Sequence, residues 1–375
     1  MSVAGPPEAT DTEAHIDTDY ETGQDNINPF GLDIHNPVFL ISGLAIVLFV
    51  LVTLMFQAEA SEFFNWLRPA ITETFDWFFL SAANVFVVFC LILLVTPLGK
   101  IRLGGNDATP DYSYMGWFAM LFAAGMGIGL MFFGVSEPMS HFNSALGGTA
   151  VEAGARTDWA PLGAAMGDVD AARQLGMAAT IFHWAIHPWA IYAVVALALA
   201  FFSFNRGLPL TLRSAFYPLL GERVWGWWGH LIDITAVFAT LFGLATSLGF
   251  GTQQALAGFN YLFGWGTGNV AKVMLIGVIT ALATVSVLRG LDGGVKLLSE
   301  INIALAALLL LFVIGVGPTA TIFATIVEGG TAYIKDIIPL SMPFGREDTN
   351  FSQGWTAFYW AWWISWSPFV GMFIA

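Results

Sequence analysis

Trp355-Thr-Ala-Phe-Tyr-Trp-Ala-Trp-Trp-Ile-Ser-Trp-Ser-Pro-Phe369 is the stretch that decides how this chain folds. On a helix turning about 100° per residue, Trp355, Tyr359, Trp362, Trp363 and Trp366 share an arc of roughly 100°. No charged residue follows before Ala375, so the segment reads as an uncharged helix of about membrane length, roughly 20 residues. Tryptophans that anchor a helix at the membrane interface gather at its ends, whereas these run down most of it. A stripe of electron-rich ring faces can hold a cation without a carboxylate. Packing of the rings against neighbouring helices is the competing use.

The chain as a whole suits the same solvent. It is 57% hydrophobic and 11% charged, with a mean hydropathy of +0.70, against about 25% charged in an ordinary soluble domain. That excludes a soluble globular class. Apolar runs recur at 38–58, 76–98, 113–136, 178–203, 231–262, 270–289, 300–328 and 353–375. They predict an all-α polytopic membrane protein with eight crossings inside residues 37–375.

Much of the formal charge of −14 lies in the first 36 residues, where Glu8, Asp11, Glu13, Asp17, Asp19, Glu21, Asp25 and Asp33 occur without Lys or Arg. Such a segment buries too little apolar surface to fold alone, so residues 1–36 are expected to form a disordered acidic cytoplasmic tail. It lacks the basic start of a signal peptide. The acidic balance gives nucleic acid no surface to bind, and Cys90, the single cysteine, supports no disulfide framework.

Lys100 and Arg102 follow the second run, Arg206, Arg213 and Arg223 the fourth, and Arg289 and Lys296 the sixth. The remaining cations are spread over longer loops. This bias places the N-terminus and the even-numbered loops in the cytoplasm of a multi-pass cell-membrane protein. Residues 207–230 and 331–343 read as interfacial segments, the second as a short helix before the eighth crossing. The eighth run reaches Ala375 without a closing loop, which predicts a chain cut short.

Three constellations carry chemistry. In the third run, Gly125, Gly127 and Gly129 each weaken a helix by about 1 kcal/mol relative to Ala. Gly125 and Gly129 form a small-xxx-small pair for close helix approach. Gly127 adds nothing to that face, and local unwinding around a ligand is the alternative. In the fourth run, Trp184, Trp189 and Tyr192 lie on one side of a helix that Pro188 distorts. His183 and His187 have a zinc-like i, i+4 spacing, with polar packing as the plainer use. Glu137 is expected as a helix-end carboxylate at the interface. In the fifth run, Asp233, Thr240, Thr246 and Ser247 are either cation ligands or, for the threonines, back-bonded to their own helix. With no nucleophile–base pair, phosphate loop or cysteine–histidine cluster, no enzyme is expected.

Ala-Ala-Gly-Met-Gly-Ile-Gly-Leu-Met-Phe-Phe-Gly (123–134) with Ser136-Glu137-Pro138 resembles the third-helix signature of the betaine/choline/carnitine transporter (BCCT) family. Residues 183–192 and 359–369 resemble that family's two tryptophan motifs. The resemblance runs from about residue 37 to the end. It implies an inverted-repeat, LeuT-like fold of twelve helices, assembled as a homotrimer, with helices nine to twelve absent here. By position, Trp184, Trp189, Tyr192 and Trp363 would form an aromatic box. Trp362 and Trp366 would line the path to the cytoplasm, with Trp360 nearby. Gly125, Met126, Gly127 and Gly129 would meet substrate. Carbonyls of Ala123 and Met126 would serve one sodium site, and Thr240 and Phe369 another. No organic cofactor is implied; the coupling ion is sodium.

The chain departs from the pattern at Leu244, where a second sodium-site threonine would stand, and it has Gly129 where proton-coupled choline carriers tend to have aspartate. A zwitterion carrying its own carboxylate, such as glycine betaine, fits an uncharged box better than a bare cation. The resemblance thus implies sodium-coupled uptake of such an osmoprotectant. The alternatives are a sodium-independent carnitine or betaine exchanger, a choline transporter and, from a different class, a membrane metallohydrolase on His183, His187 and Glu137.

Overall fold

Where the apolar runs end, proline and glycine set the breaks. The computed structural model describes residues 15–375. Among these, helix α1 spans Val38–Met55, α2 Gln57–Thr74, α3 Asp76–Val95, α4 Tyr114–Ile128 and α5 Gly134–Gly147. Next come α6 (Val169–Trp184), α7 (Ile186–Ala200), α8 (Trp227–Phe263) and α9 (Asn269–Leu288). The last three are α10 (Lys296–Val316), α11 (Thr319–Ser341) and α12 (Phe358–Ile374). The only strands among the described residues are two short hairpins, Asn26–Ile27 with Ile34–His35 and Val151–Glu152 with Ala155–Arg156. Six helical segments are apolar and long enough to cross a membrane, and the protein is a multi-pass, all-α membrane protein.

The local chemistry accounts for the boundaries. Ser113 caps α4 by accepting the Gly116 amide, and Asp168 caps α6 by accepting two amides at 3.0 Å; each cap contributes about 1 kcal/mol. Pro97 ends α3, with Thr96 held extended before it. Gly264 takes the left-handed conformation that closes the 37-residue α8.

Two expectations about spans are corrected. The seventh run does not continue to residue 328: Gly317-Pro318 stops α10 at Val316, because proline cannot extend the hydrogen-bond ladder. The segment 331–343 is not a separate interfacial helix. It is the second half of α11, a 23-residue helix that packs along α6.

The acidic tail is corrected in part. Residues 1–14 lie outside the described residues. Residues 15–36 are ordered: the Ile16 amide donates to the Arg206 carbonyl at 2.9 Å, and Tyr20 stacks on Trp225 at 4.3 Å. Leu208, Val224 and Trp225 supply the apolar surface that the tail lacks by itself. The loops after α3 and α7 meet at this same end, where Asn205 accepts the Gly104 amide at 3.0 Å. At the opposite end, the Leu162 amide donates to Asp348 at 2.7 Å, and Asn350 donates to the Thr157 carbonyl at 2.9 Å.

The buried core lies where α6, α7 and α12 meet. Phe182, Ile191, Tyr192, Tyr359, Trp360, Trp363 and Val370 form its centre. Helices α8, α9 and α10 present mostly exposed apolar side chains, as lipid-facing surfaces do.

Candidate substrate cavity

Pro188 shapes the site. It has no N–H to give the carbonyl four residues earlier, and the chain breaks from helical geometry at Ala185 (φ −98°, ψ −114°) between α6 and α7. The break leaves the His183 carbonyl free to accept the indole N–H of Trp363 at 3.3 Å. That bond ties α12 to the kink.

Beside it lies a cavity of 330 Å³. One wall is aromatic, from Trp184, Trp362, Trp363 and Trp366. The facing wall is small, from Ala123, Ala124, Gly125, Gly127 and Gly129, with Leu244, Ser247 and Ser299 alongside. None of its lining residues is ionisable. Phe369 and Phe373 also border a larger cavity of 780 Å³, which reaches Tyr112 and Leu210 at the end that carries the N-terminal segment.

The three glycines divide their work. A Cβ on Gly129 would lie 2.1 Å from the Trp184 ring, and one on Gly125 would lie 2.9 Å from Trp189. Both positions are flat seats for indoles. Nothing lies within 4 Å of a Cβ placed on Gly127, which opens to the cavity. Of the two readings of this segment, the structure shows no unwinding: α4 is helical to Ile128 and widens into a π-turn over Gly129–Phe133. The Met126 carbonyl, expected at a sodium site, accepts the Gly129 amide. Met126 is not among the cavity-lining residues.

The expected box residues come together, but only in part around open space. Trp184 meets Trp363 edge-on at 5.0 Å, Tyr192 lies 6.3 Å from Trp363, and Trp189 lies 6.0 Å from Tyr192. Trp189 and Tyr192 stand behind the lining layer rather than in it. Trp360 is corrected: it is fully buried on the far side of α12, stacked on His187 at 5.4 Å. One residue's step from Tyr359 turns it about 100° away. Thr240 and Phe369 share a separate cavity of 440 Å³ with Asp233, while Ala123 lines the aromatic one. Asp233 is paired with Arg213 at 2.6 Å, and Thr246 bonds back to the Phe242 carbonyl at 2.9 Å.

The two histidines with zinc-like spacing make separate polar contacts. His187 faces Asn84 at 3.1 Å and Ser341 at 3.3 Å, while His183 faces Glu137 at 2.6 Å. Glu137, expected at the interface, is fully buried. Ser136-Glu137-Pro138 looked like a helix end, yet α5 continues through Pro138 to Gly147. Glu137 and His141 at i, i+4 on one face were the available signal. The end opposite the N-terminal segment has its own charge cluster, where bonds from the Arg156 guanidinium hold the Asp158 carboxyl down at about 2.

Comparison with known proteins places this geometry. The profile described as BCCT, betaine/carnitine/choline family transporter, matches residues 37–375. The chain is 68% identical over 364 residues to a glycine betaine/proline/choline transporter of Vibrio parahaemolyticus, covering 96% of this chain and 66% of that protein. It is 56% identical to glycine betaine transporter 1 of the same organism, with 96% and 66% covered. It is 44% identical to a glycine betaine transporter of Bacillus subtilis, with 81% and 57% covered. The chain thus spans about two thirds or less of each of these relatives' length. By the extent of the profile match and the shared motifs, this chain belongs to the BCCT family of betaine/carnitine/choline transporters.

Proposed function

We propose that the protein takes up glycine betaine, or a related quaternary-ammonium zwitterion, as an osmoprotectant, by secondary transport. The observation that carries this reading is the 330 Å³ cavity with tryptophans on one wall, glycine backbone on the other and no ionisable lining residue. A desolvated cation–π contact contributes up to about 2 kcal/mol. Three or four rings can therefore supply much of the roughly 8 kcal/mol of a micromolar complex. The ammonium sits against Trp184, Trp363 and their neighbours, and the carboxylate faces the glycine wall. Betaine is named in all three relatives above.

The proposal extends to sodium as the coupling ion, a homotrimer and a cell-membrane location with the N-terminus cytoplasmic. The family resemblance supports the first two. The gathering of the N-terminal segment and the cation-rich even-numbered loops at one end supports the orientation. A sodium-independent exchanger is the second reading, favoured by Leu244, which puts an alkyl chain on the cavity wall where a hydroxyl would serve an ion. Radiolabelled betaine uptake by cells expressing the full-length gene tests both. Uptake that requires external sodium supports symport, and sodium-independent counterflow from preloaded vesicles supports exchange.

A further inference from the structure

Glu137 is buried to 0% exposure beside the cavity, and the transport reading gives it no task. Its Oε2 accepts the Trp184 indole N–H at 2.6 Å and the Tyr359 hydroxyl at 2.7 Å. Its Oε1 faces His183 Nδ1 at 2.6 Å and His141 Nε2 at 3.2 Å. The Thr356 hydroxyl lies 2.9 Å from His183 Nε2. An ionised carboxylate only accepts, so the His183 Nδ1 facing it carries the proton, and Nε2 then accepts from the Thr356 hydroxyl. Four donors then meet the carboxylate's four or so lone-pair positions. Glu137 Oε1, His141 Nε2 and His183 Nδ1 lie within 4.8 Å of one another, as metal ligands can. With both oxygens filled by protein donors, the hydrogen-bonded use explains the cluster better.

Of the two partners of Oε2, one lines the cavity and the other backs its wall. Trp184 lines it directly and lies flat over Gly129. Tyr359 stacks on Trp363 at 5.6 Å and 17°, and Trp363 stacks on Trp362 at 4.8 Å. Through Oε1 the same carboxylate holds His183, whose backbone carbonyl receives the Trp363 indole N–H. One side chain of α5 therefore sets the rings of α6 and α12 at once.

We propose that Glu137 is a positioning residue for betaine recognition, fixing the angle of Trp184 against the Tyr359–Trp363–Trp362 stack. The inference rests on the reading of this cavity as the substrate site. An acceptor removed from a buried indole N–H leaves that donor unsatisfied, and the ring turns to find another. The wall is then misaligned while its residues are all present.

The test is betaine uptake by cells expressing the full-length protein with E137Q, which turns one acceptor oxygen into a donor. KM is expected to rise at least about tenfold, the size of one lost charge-assisted bond, with the maximal rate per folded protein within about threefold. In a W184F background, which keeps a ring but has no N–H, E137Q is expected to add less than about threefold, as partners in one network do. An unchanged KM in E137Q with a lower amount of folded protein means a purely structural role and overturns the proposal. Should E137Q not reach the membrane, Y359F removes one donor to Oε2; a raised KM supports the proposal and an unchanged one overturns it. Stoichiometric zinc in the purified protein also overturns it. Failure of the underlying reading looks different: wild-type cells take up no betaine, or W363A takes up as much as wild type.

Discussion

The two sides of α12 carry the same kinds of side chain and meet different surroundings. Trp362, Trp363 and Trp366 border the 330 Å³ cavity. Trp360 turns the other way and is fully buried against Phe182 and His187, while Tyr359, stacked behind Trp362 and Trp363, is fully buried against His183. On the first side the rings offer faces to a space. On the second they fill a core in which Glu137, His183 and Thr356 satisfy one another. Aromatic content alone therefore does not mark a binding wall; the wall is the side that borders the cavity.

Truncating the two sides separately is the strongest way to break this distinction. Trp363→Ala removes a cavity ring and a cation–π contact of about 2 kcal/mol, so betaine uptake below saturation is expected to fall about thirtyfold. Trp360→Phe, on the core side, is expected to lower thermal stability while leaving betaine KM within about twofold. Equal KM effects at the two positions would erase the distinction.

The facing glycines sharpen it. Gly129→Ala drives a Cβ into the Trp184 ring. Overpacking of this kind costs about 1–3 kcal/mol, and about a tenfold loss of uptake is expected. Gly127→Ala enters open space, and a change within about threefold is expected, short of the overpacking cost. Radiolabelled uptake in the two variants measures both.

How much of this was legible in the sequence follows from the range of each interaction. Apolar runs such as 38–58 and 76–98 are local, and they gave α1 and α3 within a few residues. The tryptophan motif marked α12, and the π-turn at Ser352–Ala357 takes only Trp355 out of its angular count; which side meets a cavity depends on remote glycines that the motif does not contain. The burial of Glu137 is not legible locally, because apart from His141 its partners are remote: His183 lies 46 residues on, and Tyr359 lies 222. Residues 15–36 were misread for the same reason, since Tyr20 orders against Trp225. Gly125 and Gly129 were read as a close-packing pair, and the partners they admit are indole rings rather than another helix backbone.

The last predicted effect is on stability and lies away from the site. Bonds from Arg156 lower the folded-state pKa of Asp158 to about 2, below an unfolded value of about 3.9. Its stabilisation is therefore complete above about pH 4 and is lost as pH falls through about 2. Asp158→Asn is expected to melt a few degrees below the parent at pH 7, corresponding to about 1.5–3 kcal/mol for bonds to a charged group. The two melting curves are expected to converge near pH 2, and a gap that persists there would assign the bonds no role in stability.

The central claim is that the ring-walled cavity recognises a zwitterionic ammonium compound. Equilibrium binding of radiolabelled glycine betaine to the purified full-length protein, with and without Trp363→Ala, tests it most directly. The account predicts saturable binding in the micromolar range, roughly 8 kcal/mol, weakened about thirtyfold by the substitution. Equal affinity in the two proteins, or no saturable binding to either, would contradict it.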